Sequence, residues 1–153
     1  MSLHPDFKDL LSAFDDADVQ YLLVGGYAVA FHSRPRFTKD IDLWIAGSRE
    51  NVEKVHAALA RFGAPTEVLD ELGRLGPEDI LYLGHPPVRV DIFKQIPGVE
   101  FEAAYRRRVE SEWDGVRVKV IALQDLIAAK RASAREQDRL DVRELERARL
   151  RRS

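Results

Sequence analysis

The sequence contains no cysteine. That absence excludes disulfides, zinc knuckles and thiol nucleophiles together. No uninterrupted apolar run approaches the roughly 18 residues a membrane-spanning helix needs. The segment Met1-Ser2-Leu3-His4-Pro5-Asp6 has neither a basic n-region nor an apolar h-region. No secretory signal is therefore expected, and the expected compartment is the cytoplasm. The common phosphate-binding fingerprints are missing too. Gly25-Gly26 is not followed by a third glycine at dinucleotide spacing, and Gly-Lys-Ser/Thr is absent. His4, His56 and His85 have no metal-ligand spacing with one another.

What remains is a chain of 153 residues, 45% hydrophobic and 33% charged. Those values describe one soluble globular domain over residues 1–153. A chain of this size buries roughly 68–70% of its unfolded surface. The net charge of −2 conceals an asymmetry: residues 1–105 carry −7 and residues 106–153 carry +5. A basic half marks an anionic partner, or else a solvated helix face, since its arginines are interleaved with Glu and Asp.

Phe7, Leu10, Leu11 and Phe14 recur at helical spacing and predict a helix over about 5–17. Tyr21-Leu22-Leu23-Val24 reads as a buried strand ended by Gly25-Gly26, and Tyr27 to His32 as a short helix broken at Ser33-Arg34-Pro35-Arg36. Asp40-Ile41-Asp42-Leu43-Trp44-Ile45 alternates like a half-buried strand, with Trp44 expected as core on the face opposite the acidic pair. Ser48 caps a helix carrying Val52, Val55, Leu59 and Phe62, stopped by Gly63. Thr66-Glu67-Val68-Leu69, Ile80-Leu81-Tyr82-Leu83 and Val88 to Phe93 read as strands, the last two joined through Gly84-His85-Pro86-Pro87. Phe101 to Arg108 reads as a helix, Trp113 as a turn residue, and Val116 to Ile121 as a strand. Helix follows from Leu123 to about Leu150, broken near Ser133–Gln137. The expected fold is a mixed α/β (α+β) domain around one sheet, with a core over about 5–121 and a helical segment over about 123–150.

Asp40 and Asp42 lie two residues apart on a strand, so both carboxylates project from one face. Two adjacent carboxylates raise each other's proton affinity unless a cation lies between them. Oxygen ligands alone favour a hard ion, Mg²⁺ or Mn²⁺. The alternative is an edge strand with two solvated aspartates. Gly25-Gly26 starts a helix, where backbone N–H groups form an anion site and glycine permits close approach; an ordinary tight turn is the alternative. Asp91, flanked by Val90 and Ile92, is out of place in a strand and needs a partner: a metal beside Asp40 and Asp42, or a core arginine. Three carboxylates beside a phosphate cradle would suit metal-assisted phosphoryl or nucleotidyl transfer.

Gly25-Gly26-Tyr27-Ala28, then His32, Arg36, Thr38 and Asp40-Ile41-Asp42-Leu43, resembles the signature of small nucleotidyltransferases of the DNA polymerase β superfamily. The nearest branch is the bacterial single-domain type of AbiEii-like and MenT-like toxins. Asp91 matches its late strand aspartate, and Lys130, Arg135, Asp138 and Asp141 match its C-terminal helical motif, so the resemblance spans about residues 20–145. Gly26 stands where many superfamily members carry a serine. The resemblance implies a nucleotidyltransferase fold and an NTP substrate. It implies Asp40, Asp42 and Asp91 as catalytic ligands of Mg²⁺ or Mn²⁺, and Gly25, Gly26, Thr38, Arg36 and Lys130 as nucleotide-binding residues. Lys130 has a structural reading as well, an ion pair with Asp138 or Asp141, and Asp141 is expected to lock Lys130 or Arg135. His32 reads as a packed structural histidine, with a phosphate contact or a hydrogen bond to a site carboxylate as the alternatives, and Arg106-Arg107-Arg108 is a candidate nucleic-acid contact. The implied acceptor is tRNA or another RNA, or a protein, with an antitoxin as a further partner. An antibiotic-modifying transferase and a non-catalytic nucleotide-binding module are the alternatives; a phosphatase or nuclease would add histidines to the carboxylates, and none is so placed.

Overall fold

The computed structural model describes residues 2–85, 88–133 and 135–152. A helix α1 (Pro5–Asp16) leads into β1 (Tyr21–Val24), α2 (Gly25–His32) and β2 (Asp40–Ile45). There follow α3 (Arg49–Phe62), α4 (Thr66–Gly73), β3 (Ile80–His85) and β4 (Val88–Phe93). The chain continues through α5 (Phe101–Arg106), β5 (Val109–Trp113) and β6 (Val116–Val120) to α6 (Leu123–Ser133) and α7 (Glu136–Arg152). The connection through Pro86 and Pro87, and Ala134 in the helix break, lie outside the described residues.

One six-stranded sheet runs in the order β3-β4-β2-β1-β6-β5. β1 pairs antiparallel with β2 and parallel with β6, and β2 pairs parallel with β4. Every residue of β1 is buried, as its central place requires. The apolar stripe Phe7, Leu10, Leu11 and Phe14 of α1 is fully covered and joins Leu22, Leu23, Ile41, Leu43 and Ile45 in a continuous core. The sequence signals at α3 act as expected. Ser48 Oγ accepts from Asn51 N at 3.2 Å, and Gly63 closes the helix in a left-handed turn at φ +101°.

Three expectations are corrected. Thr66–Leu69 is the start of α4, not a strand: Pro65 presets the helical entry, and Val68, Leu69 and Leu72 then fall along one helix face. Trp113 is core at the end of β5; the turn is Asp114-Gly115, with φ of +52° and +81°, a two-residue hairpin loop. Trp44 is buried, but its even spacing puts it on the face of Asp40 and Asp42 rather than the opposite one. There its ring meets Phe101 edge-on at 5.1 Å, and its Nε1 donates to the Lys94 carbonyl at 2.9 Å. Among the described residues, no helix is long and apolar enough to cross a membrane.

Candidate active site

The alternation of β2 turns Asp40 and Asp42 to one face, and the parallel register with β4 sets Asp42 opposite Asp91 and Asp40 opposite Arg89. The expected convergence of three carboxylates thus comes from two adjacent strands. It also includes an arginine, Arg89, so the arginine expected as an alternative partner of Asp91 is present, half-exposed rather than in the core. The Arg89 guanidinium donates to Asp91 from Nε at 2.9 Å and from Nη2 at 3.2 Å, and its Nη2 lies 3.1 Å from Asp40 Oδ2. It rests over the Tyr82 ring at 5.2 Å. The available signal was an arginine two residues before Asp91 on the same strand face.

Burial first, then the charges of Asp91 and Asp40, push Asp42 up to about 6, against the pull of Lys130 and Arg89. The donor set is oxygen alone and suits a hard divalent ion. Among the described residues no group of three or more acidic or imidazole side chains stands as a ready-made metal cage. Arg89 now supplies positive charge where such an ion would be bound.

Gly25 ends β1 directly beneath this face. Its φ is +66°, and a Cβ built there would lie 1.9 Å from Asp42 Oδ2. Glycine here both permits the left-handed turn and leaves room for the carboxylate. Gly26 packs on the Thr38 methyl, 2.8 Å from where a Cβ would stand, with Arg36 Nη2 at 3.7 Å. A Gly25→Ala variant is expected to lose about 1–2 kcal/mol from backbone strain alone. It should also displace Asp42 and cut turnover about 10²-fold, since ångström-scale misplacement at a reacting centre costs that much. Thermal unfolding beside a transfer assay checks both effects.

The facing wall comes from α6 and α7. Lys130 Nζ lies 3.3 Å from Asp138 Oδ1 and 3.1 Å from Asp141 Oδ2. Arg135 holds Asp138 from Nε at 2.8 Å, and Arg36 holds Asp141 at 2.9 Å. Burial pushes Asp138 up, but hydrogen bonds from Arg135, Ser133 and Lys130 outweigh it and hold the carboxyl well below its usual range. Burial likewise opposes, without overcoming, the downward pull of Arg36, Gln137 and Lys130 on Asp141. The structural reading of Lys130 is therefore realised, yet its side chain also lines the cleft. That cleft, about 380 Å³, is bounded by Gly25, Asp40, Asp42, Asp91, Lys130 and Arg135 among others. Arg36 and Thr38 stand beside the glycine turn and line a separate cavity.

Two outlying candidates resolve plainly. His32 is buried, with its Nε2 at 2.6 Å from the Ile121 carbonyl; burial, with Arg152 nearby, lowers its pKa against that bond, as suits a neutral packed ring. Arg107 of the triple-arginine run is committed to Asp125 through two bonds of 2.8 and 3.0 Å, and Arg108 stacks on Tyr105 at 4.2 Å. Two of the three are therefore structural rather than free for a nucleic acid.

The fold is similar to solved structures across nearly its full length. The lincosamide antibiotic adenylyltransferase LnuA, with lincomycin bound, matches with a TM-score of 0.61 at 17% identity, over 95% of this chain and 97% of that one. The ANT(2")-Ia complex with adenylyl-2"-tobramycin matches with a TM-score of 0.58 at 15% identity, over 94% and 91%. A candidate nucleotidyltransferase of Thermotoga maritima matches with a TM-score of 0.58 at 14% identity, over 96% and 91%. At such identities the likeness establishes the fold alone. No curated protein matches the sequence. A family model does match, over residues 2–148, and by it the chain belongs to the nucleotidyltransferases of unknown function designated DUF6036.

Proposed function

We propose that this chain transfers a nucleoside monophosphate from an NTP to an acceptor hydroxyl, with Mg²⁺ or Mn²⁺ as cofactor. The observation that carries the reading is the cross-strand set of Asp40, Asp42 and Asp91 beside the Gly25 turn. Asp40, Asp42 and Asp91 would hold the divalent ion, which, when bound, supplies charge neutralisation for the triphosphate and acidifies the acceptor hydroxyl. The acceptor oxygen attacks the α-phosphorus, the bond to the β-phosphate oxygen breaks, and pyrophosphate leaves. Asp91 is the group assigned to take the acceptor proton. Gly25 and Gly26 offer backbone N–H groups to the β- and γ-phosphates. Lys130, already facing the cleft, supplies positive charge to the same triphosphate. Thr38 and Arg36 close over the glycine turn.

The finer role we assign is that of a growth-inhibiting toxin acting on RNA or protein, controlled by an antitoxin. That assignment rests on the Gly25-Gly26, Asp40-Ile41-Asp42 and Lys130 to Asp141 pattern. An antibiotic-modifying role uses the same carboxylates, and a cationic drug would need an acidic acceptor pocket. The cavity of about 570 Å³ bordered by Arg36, Thr38 and Lys39 contains no Asp or Glu in its lining.

Incubation with each α-labelled NTP, Mg²⁺ or Mn²⁺, total RNA and lysate tests the proposal. Label in an RNA or protein band, absent from an Asp91→Asn control, supports transfer and names the acceptor class. Absence of both transfer and metal-dependent NTP binding overturns it in favour of a non-catalytic module.

A further inference from the structure

We propose that the loop over residues 34–39 and the arginine face of α7 form a docking track for single-stranded RNA, the strand whose terminal hydroxyl is the acceptor. The inference deepens the nucleotidyl-transfer reading and rests on it. Four observations carry it.

Phe37 is 83% exposed, the most exposed large hydrophobic side chain among the described residues. It is set between cations in Arg34-Pro35-Arg36-Phe37-Thr38-Lys39, one residue from the start of the carboxylate strand at its far end. An uncovered ring flanked by positive charge is a stacking platform for an unpaired base. The cavity of about 570 Å³ behind Phe37 adds His4, Tyr27, Arg36 and Lys39, and no carboxylate enters its lining.

The second surface is α7. Arg139, Arg143, Arg147 and Arg151 recur every four residues and are all exposed. Each four-residue step rises about 6 Å and turns about 40°, so the four backbone positions trace a shallow spiral along one side of the helix. Among the described residues, Arg139 and Arg143 make no side-chain hydrogen bond or ion pair, and Arg147 reaches Glu144 only at 3.9 Å. Arg34 joins the two surfaces: its Nε donates to Glu144 of α7 at 2.6 Å. A further cavity of about 260 Å³ lies across that junction; its lining pairs Arg34 with Glu144 and Arg36 with Asp141, so this stretch of the track is balanced in charge and, among the described residues, the unpaired cations alongside it are those of α7. Cations along the helix suit phosphates, and an exposed aromatic at the loop suits a base unstacked from its neighbours. Single-stranded RNA presents both together.

Fluorescence anisotropy of a short 5′-labelled single-stranded RNA tests the track. The full chain is compared with Phe37→Ala and with the double variant Arg139→Glu/Arg143→Glu. We expect wild-type binding that weakens steeply between about 50 and 200 mM salt. The double variant should bind about tenfold or more weakly, with a shallower salt dependence. Phe37→Ala should lose about 5- to 150-fold, the worth of one stacked base. Both variants should keep the wild-type melting temperature and Mn²⁺-dependent NTP binding. Equal RNA binding by wild type and variants overturns the track, as does preference for duplex RNA or transfer of label to polypeptide alone. If wild type binds no NTP at all, the failure lies with the nucleotidyl-transfer reading. If NTP binding persists while RNA binding is indifferent to the variants, only the track fails.

Discussion

Asp42→Asn is expected to abolish transfer and, in the metal-free protein, to raise the melting temperature at pH 7.5. Asp42 is held at about 6 by burial and by Asp91 and Asp40, against an ordinary value of 3.8. A shift of that size corresponds to about 1–3 kcal/mol of strain carried by the ionised form at neutral pH. The sign follows from proton binding. The folded carboxyl keeps its proton to a higher pH than the unfolded one, so its stabilising contribution is complete below about 4 and is lost as pH rises through about 6. Asparagine does not ionise, so the variant escapes that loss. The two proteins should melt together near pH 4 and separate by several degrees above pH 6.5, at roughly 2–4 °C per kcal/mol for a chain of this size. Transfer should fall by roughly 10³-fold, the worth of several kcal/mol of charge stabilisation. Stability and activity then move in opposite directions, as expected where a site is built at the expense of the fold. Coincident melting at pH 7.5, or retained transfer, would contradict the assignment of Asp42.

Asp138→Ala should act in the opposite sense, as a loss of fold. Asp138 is fully buried and holds Arg135 at 2.8 Å and Lys130 at 3.3 Å. Removing it leaves the largely covered Lys130 ammonium with Asp141 alone. Breaking a buried pair from one side costs about 3–5 kcal/mol. Melting should drop by roughly 10 °C on the same scale. The pH dependence is inverted relative to Asp42. The depressed carboxyl of Asp138 contributes stability above its unfolded value, near 4, and that stability is lost as pH falls further. Acid titration of melting temperature should therefore show a steep wild-type decline below about pH 4 that the variant lacks. A variant with unchanged melting and an unchanged acid limb would show that this cluster holds nothing together.

The fold was legible where one face of an element was dry. Alternation in β2, β4 and β6 and the stripe on α1 gave those elements directly. It failed where local chemistry pointed both ways. Val109 to Trp113 carries Glu110 and Glu112 on its open side, and the tryptophan beside Asp114-Gly115 disguised the strand end as part of the turn. Thr66 and Val68 favour strands by branching, yet Pro65 and the burial of Leu72 impose a helix. At the site, spacing within one strand placed Asp40 and Asp42 on one face, and the oddness of Asp91 marked it for a partner. The placement of Arg89 between Asp40 and Asp91 was not legible, because it depends on the β2–β4 register. The same holds for Arg36 with Asp141, 105 residues apart in the chain. The paired reading of Lys130 was anticipated; that it spans both Asp138 and Asp141 was not.

Arg89 has a consequence for what the cleft will accept. The lining carries Asp40, Asp42, Asp91 and Asp138 against Arg89, Lys130 and Arg135, so the acids are nearly offset before any ligand arrives. A bare divalent ion must compete with a guanidinium already bonded to Asp40 and Asp91, and its entry would leave positive charge in excess. A ligand that brings its own anionic counterpart avoids that penalty, because the displaced guanidinium finds phosphate oxygens in exchange. An ion entering with its triphosphate is therefore expected to displace Arg89 at less cost than the ion alone, because the freed guanidinium keeps an anionic partner.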